Sequence, residues 1–489
     1  MLDRRAFLRA AGLAALAPGA CVTRPVAEPG TWVNDVHSAL NPTRVSSVLS
    51  PRSIEELQQI VRRTRGPLAI SGARHAMGGQ QFAAAAPLID IRGMNRVIGF
   101  DRSNGVVDVE SGIQWPELIG WLIETQRGES RQWGIRQKQT GADRLTLGGS
   151  LAANVHGRGL QMAPIAGDVE SFVLVDAAGQ AVECSRTSNG ELFSLAIGGY
   201  GLFGVIASIR LRLSPRRKVE RVVEMMSADR IAAAFEQRIA DGFLYGDFQF
   251  SIDENSPKFL QEGVFSCYRP VADDTAMPDR QKELAPEDWM KLLYLAHADR
   301  NAVYDRYAGY YLSSSGQVYW SDEHQLSHYP DGYHAAVDKL TAAANPGSEM
   351  ISELYVPRPQ LASFMHAAAG ELRRRGVPLI YGTVRLIERD TETFLPWARQ
   401  RQACVIFNLH TEHTEAGKER SAEAFRGLID LALARGGSYF LTYHRWARRD
   451  QVEAAYPQFA DFLRRKRQID PGERFQSDWY RHYKAMFGA

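Results

Sequence analysis

The period of the apolar positions changes several times along the chain, and each change marks an element. Ser53 and Glu56 stand at capping-box spacing. Behind them Ile54, Leu57, Ile60 and Val61 share one helical face. Gly66-Pro67 ends that helix, and Leu68-Ala69-Ile70 opens a short buried strand. Asn104-Gly105 signals a turn, after which Val107 and Val109 alternate with Asp108 and Glu110 as in a half-buried strand. A hairpin follows, with strands at 172–175 and 181–184 around Ala177-Ala178-Gly179. Val205, Ala207, Ile209, Leu211 and Leu213 alternate with polar residues and predict another strand. Pro215-Arg216-Arg217-Lys218 reads as a boundary.

The stretch 216–345 is rich in aromatics and shows no sustained period. Beyond it the pattern returns: strand 351–356, helix 358–375, strand 378–387, strand 402–410, helix 419–435 stopped by Gly436-Gly437, and strand 438–443. This is βαβ twice over, the order of a ferredoxin-like antiparallel sheet with helices on one face. No internal sequence repeat is evident.

Composition adds bounds. At 489 residues, 45% hydrophobic and 23% charged, the chain is globular and long enough for roughly two or three domains. A net charge of +2 gives no reason to expect nucleic acid or an anionic membrane as partner. No apolar run reaches the roughly 18–20 residues of a membrane span. Cys21, Cys184, Cys267 and Cys404 form no CxxC pair, so neither a structural zinc site nor a disulfide framework is expected. Residues 1–30 read as a targeting segment. Arg4-Arg5 within Asp3-Arg4-Arg5-Ala6-Phe7-Leu8 is of the twin-arginine type, and the apolar stretch 10–20 behind it is too short to span. Export to the periplasm is the expectation. Cys21 after Gly19-Ala20 is a candidate for lipidation, although Pro18 departs from the usual lipoprotein pattern.

Two glycine-rich loops carry the chemistry. Gly72, Gly78 and Gly79 lie in the first, and Gly148, Gly149 and Gly157 in the second. Without a Cβ, such loops let backbone N–H groups approach a phosphate. Neither is a Walker A motif, and neither fits the Gly-x-Gly-x-x-Gly of a nicotinamide site.

The run Ser71-Gly72-Ala73-Arg74-His75-Ala76 resembles the first pyrophosphate loop of the vanillyl-alcohol oxidase family, which has a PCMH-type FAD-binding domain. In many members that loop reads Arg-Gly-x-Gly-His-Ser, and its His bonds to the flavin 8α carbon. The run 146–157, the run 198–206, and Asp470-Pro471 with Phe475-Gln476-Ser477-Asp478 resemble three further motifs of the family. They are closest to the aldonolactone, alditol and decaprenylphosphoryl-ribose oxidases. The resemblance spans about 40–215 and 350–489. It implies an α+β fold: a two-part FAD-binding domain at 31–215, a substrate (cap) domain at 216–454 with the ferredoxin-like sheet, and a segment 455–489 returning to the FAD domain. It implies FAD as cofactor, bonded to His75, with Gly72, Ala73, Arg74, Ala76, Gly78, Gly79, Gly148, Gly149, Ala152, Asn154, His156, Gly157 and Ile206 around it. Arg74 and Ala76 replace a common Gly and Ser, and some relatives lack the linking His.

On the substrate side, Tyr381, Thr383 and Arg385 share one strand face, as do Gln402, Cys404, Asn408 and His410. Similar sugar oxidases carry Lys or Arg at the position of Arg385, near the flavin. The family often has Lys where Tyr443 stands, which leaves the acid–base role to Tyr443, His444 or His156. His410 and His413 have no third ligand at a defined spacing, so no metal is expected. Tyr310-Tyr311 and Tyr319-Trp320 are candidates to stack on a sugar ring or an apolar tail, although such residues are more often core or interface aromatics. The expected function is oxidation of a hydroxyl in a sugar, polyol, aldonolactone or related small molecule, with oxygen, a quinone or a cytochrome as acceptor. The alternatives are a flavin-dependent reductase of a C=C bond and an exported non-catalytic binding protein.

Overall fold

The computed structural model describes residues 30–278, 281–327 and 332–488. The predicted signal, with Arg4, Arg5 and Cys21, lies outside the described residues.

The first part of the chain builds two small sheets of three and five strands, beside two two-stranded ribbons. The helix Ile54–Arg63 begins where Ser53 accepts from the Glu56 N–H, as its capping spacing predicts. It covers a three-stranded parallel sheet of Val48–Leu49, Leu88–Asp90 and Ala69–Ser71. A five-stranded antiparallel sheet contains the predicted hairpin, Val169–Val175 with Ala181–Ser185, beside Val205–Arg212, Val106–Glu110 and Val97–Asp101. Val106–Glu110 is buried on both faces rather than one. Glu110 is hidden and paired with Arg96 at 2.7 Å. Ile89, Ile91, Val175 and Val205 share one apolar cluster that joins the two sheets.

From Lys218 onward the chain forms a single eight-stranded antiparallel sheet. Its strands are β1 (Lys218–Ser227), β2 (Tyr245–Phe250), β3 (Glu262–Pro270), β4 (Val318–Trp320), β5 (Gly347–Pro357), β6 (Leu379–Ile387), β7 (Gln402–Glu412) and β8 (Ser438–Tyr439). The strand order is β4-β1-β3-β2-β6-β7-β5-β8. Each half places its fourth strand outside its first and its third between first and second, so one β-α-β-β-α-β plan occurs twice. The halves meet edge to edge, Phe248 of β2 opposite Val384 of β6. No sequence repeat announced this, because the first half lies in the aromatic stretch.

Helices Ala228–Ala240, Leu361–Arg375 and Glu415–Leu433 pack together over one face. The two helices read from sequence lie together on that face, while Pro286–Ala298 and Arg300–Ser313, from the stretch without a readable period, roof a cavity on the opposite one. Glu415–Leu433 starts four residues before the predicted 419, where Thr414 accepts from the Gly417 N–H. β8 ends at Tyr439 rather than 443, so Tyr443 stands on a turn beyond the sheet.

The tail closes on the first sheet. The Leu68 N–H donates to the Arg474 carbonyl at 2.6 Å and the Gln476 N–H to the Leu68 carbonyl at 2.9 Å. Asp478 accepts from the Ala84 N–H at 3.1 Å.

Candidate active site

A cavity of about 930 Å³ lies between the small sheets and the large one. Gly72, Ala73, Arg74, His75 and Ala76 line it from the first loop, Gly148, Gly149 and Ala152 from the second, and Ile206 from the third motif. The first two loops touch: a Cβ on Gly72 would stand 2.0 Å from Thr146 Oγ1, so this approach requires glycine. Arg74 has φ +64°, the left-handed conformation that explains why glycine is common there in similar loops. Among the described residues, no hydrogen bond uses the N–H groups of Ala73, Arg74 and Ala76. Such a turn with idle N–H groups is a nest for an anion. By contrast, the N–H groups of Leu147, Gly148 and Gly149 are already bonded within the protein. The donor set for a pyrophosphate is therefore in the first loop.

His75 Nδ1 lies 2.8 Å from His37 Nε2. Burial and the nearby His334 lower His37 to about 4, so it is neutral near pH 7. Gly78, Gly79, Asn154, His156 and Gly157, expected around the cofactor, stand behind the lining. Asn154 caps its helix at φ +51° and donates to Asp390 at 2.9 Å. Gly157 backs onto the Lys138 carbonyl. The Gly78 N–H donates to Gln80 Oε1 at 2.9 Å, and Gln80 donates in turn to the carbonyls of Leu441 and Thr442. That bond ties the first loop to the segment carrying Tyr443.

Arg385, Tyr443 and Glu353 meet on the wall formed by the large sheet. The Tyr443 hydroxyl donates to Glu353 Oε1 at 2.7 Å, and the Tyr355 hydroxyl donates to Oε2 at 2.8 Å. His156 Nε2 is 2.9 Å from Oε2, while His156 Nδ1 faces the Gly157 carbonyl at 2.9 Å. A carbonyl only accepts, so Nδ1 carries a hydrogen and one further proton is shared between Nε2 and the carboxylate. Gln139 bridges the group, its Nε2 at 3.2 Å from the Tyr443 oxygen and its Oε1 accepting from Arg385 at 3.5 Å. Burial pushes Glu353 up, but His156, the Tyr443 hydrogen bond and Arg385 outweigh it and hold it at about 2. Burial and the Glu353 charge push Tyr443 well above its ordinary value. His444 is elsewhere: it stacks on Phe425 with ring centroids 4.7 Å apart and faces Ser352 Oγ at 3.1 Å, away from the cavity. Burial lowers it to about 3.

Sequence reasoning missed Glu353 and Gln139. A carboxylate set between Ile351 and Tyr355 on one face of the predicted strand 351–356 was the available signal for Glu353; Gln139 had none. Tyr310, Tyr311, Tyr319 and Trp320 line the far end of the cavity with Tyr304 and Tyr307.

Residues 45–185 match a family model described as an FAD binding domain. This part of the chain is an FAD-binding domain. Relatives of the whole chain match over partial lengths. An oxidoreductase from ORF5 of the fasciation locus of Rhodococcoides fascians is 30% identical over 34% of this chain and 37% of its own. Cytokinin dehydrogenase 3 of Arabidopsis thaliana is 24% identical over 58% and 51%. The mitochondrial L-galactono-1,4-lactone dehydrogenase 1 of Oryza sativa subsp. japonica is 27% identical over 40% and 32%. The chain thus spans about a third to a half of the length of the curated relatives it matches. The FAD-binding domain accounts for the first two loops, and the large sheet for Arg385 and Glu353.

Proposed function

We propose that the chain is an FAD-dependent oxidoreductase acting on a CH–OH donor such as a sugar, polyol or aldonolactone. The observation that carries this is the meeting of Arg385, Tyr443 and ionised Glu353 on the wall of the cavity that the FAD loops also line. When bound, FAD supplies the acceptor for the hydride of the donor's C–H bond. Arg385 is a fixed cation and stabilises the negative charge that grows on the donor oxygen. Tyr443 already donates its own hydrogen to Glu353, so its oxygen is the acceptor for the donor's O–H. The alcohol proton moves to Tyr443 as the phenolic proton moves to Glu353, with His156 behind the carboxylate.

The division at 31–215, 216–454 and 455–489, the ferredoxin-like reading of the large sheet as substrate cap, and twin-arginine export belong to the same proposal. So does the covalent bond to His75. Acid-precipitated protein is expected to stay yellow and a His75 peptide to carry the flavin mass; release of all flavin rejects the bond.

A second reading, a donor of the cytokinin kind, is favoured by the aromatic end of the cavity and by the cytokinin dehydrogenases among the relatives. Anaerobic mixing with sugars, polyols, lactones and cytokinins separates the two. Bleaching by alcohols or lactones is expected. Bleaching by cytokinins alone selects the second reading, and protein purified without flavin rejects both.

A further inference from the structure

A second polar cluster sits on β5, four residues before Glu353. Glu349 is buried, and directly across the strand pair stands His410 of β7. His410 Nδ1 lies 3.5 Å from Glu349 Oε1, and His297 Nε2, from the roof helix Pro286–Ala298, lies 3.0 Å from the same oxygen. The other oxygen, Oε2, takes His334 Nδ1 at 2.6 Å and a hydrogen bond from the Tyr333 hydroxyl. The ligand atoms of His297, Glu349 and His410 all lie within 4.8 Å of one another.

Hydrogen bonding inside the protein fixes which ring nitrogens face the carboxylate. His297 Nδ1 faces the Leu293 carbonyl at 2.8 Å, so Nδ1 carries the hydrogen. Nε2 then faces a carboxylate oxygen at 3.0 Å, an approach held either by a proton on Nε2 or by a metal ion in its place. Among the described residues, His410 Nδ1 is buried with no neighbour closer than the Glu349 oxygen at 3.5 Å to satisfy it. Gly347 makes room for the ring: a Cβ there would stand 2.3 Å from His410 Cε1. One imidazole anchored to a backbone carbonyl, with its free nitrogen turned to a carboxylate and a second imidazole, is how metal-ligating histidines are held. Ligands about 2.0–2.2 Å from a tetrahedral ion stand roughly 3.3–3.5 Å apart, close to what the cluster offers.

We propose that His297 Nε2, His410 Nδ1 and Glu349 Oε1 form a site for a divalent transition ion of the zinc class, with His334 and Tyr333 orienting the carboxylate through its second oxygen. Two imidazoles and a carboxylate suit zinc, and water fills the fourth position. The ion joins the roof helix to the sheet: His297 comes from the roof, Glu349 and His410 from β5 and β7. It thereby fixes the roof over the cavity, which Trp289, Leu292 and Leu293 of the same helix line.

The test uses flavin-loaded enzyme stripped with a chelator and titrated with Zn(II) or Co(II). One ion per chain is expected, with the visible bands of tetrahedral cobalt, a rise in Tm, and slower proteolysis within 281–340. His297→Ala and His410→Ala should each weaken cobalt binding by about 100-fold or more, whereas His366→Ala, on the exposed face, should keep it. His410→Gln serves where the alanine variant fails to fold, and the Tm rise of the unmutated enzyme needs no variant. Absence of saturable binding, or equal binding by the His297→Ala, His410→Ala and His366→Ala proteins, overturns the proposal.

Discussion

Glu349 and Glu353 lie on the same face of one strand, both buried, both facing an imidazole whose Nδ1 is committed to a backbone carbonyl. They differ in what fills their remaining lone pairs. Glu353 receives two phenolic hydroxyls and one histidine, so a single shared proton balances it. Glu349 receives one hydroxyl and three imidazoles, two of which, His297 and His410, converge on a single oxygen. On the proposals made here, the same acid on the same strand serves as a proton station in one place and a cation ligand in the other. The neighbours set the role: two phenols surround one carboxylate, three imidazoles the other.

That contrast can be broken in several ways. Glu353→Ala removes one partner of a buried pair and leaves His156 uncompensated, which should cost about 3–5 kcal/mol of stability, read from the urea midpoint. A loss below about 1 kcal/mol would mean the pair contributes little, contrary to the general cost of breaking such pairs. Arg385→Met should slow anaerobic flavin reduction by about two to three orders of magnitude, ~3–4 kcal/mol, with the flavin spectrum and Tm retained. The effect of His410→Ala should fall instead on Tm and proteolysis of the roof. If Arg385→Met unfolds the protein, Arg385 belongs with the structural group and the contrast fails.

Acid sharpens the comparison at smaller amplitude. His444 is held neutral, at about 3 against an ordinary 6.5. The unfolded chain therefore binds more protons below 6.5, and stability falls as pH drops from 6.5 towards 3. At pH 5 this one residue should cost about 2 kcal/mol, and His444→Phe should remove that part of the slope between urea midpoints at pH 7 and 5. Glu353 acts lower: held at about 2, it contributes stability present above 4.5 and lost as pH falls from there to 2. An unchanged acid slope in His444→Phe would show that this ring is not the one titrating.

Legibility in the sequence followed burial. The helix at 54–63, the hairpin at 169–185 and β5 to β7 carried readable periods or turn signals. The strand β2, Tyr-Gly-Asp-Phe-Gln-Phe, did not: it is buried at every position, between a helix layer and the cavity, and its alternation runs only from Asp247 to Phe250. The first half of the large sheet therefore stayed unread, and with it the roof. The loops were legible because glycines and the histidine of a nest stand together in sequence. The Glu349 cluster was not, since His297 lies 52 positions from its carboxylate and His410 met it only through strand pairing. His410 and His413, the pair that drew attention, do not act together: His413 faces Ser348 at 2.8 Å instead.

The tail contact has a consequence for how the protein is made. Leu68, at the entrance to the first loop, is held by Arg474 and Gln476, and Phe475 between them is wholly buried. Arg474 also reaches Gly66, 408 positions upstream. A ribosome makes Gly66 408 positions before it supplies Arg474. Across those 408 positions the growing chain holds the loop without its brace. A stop codon before residue 474 removes the brace while leaving every loop residue in place.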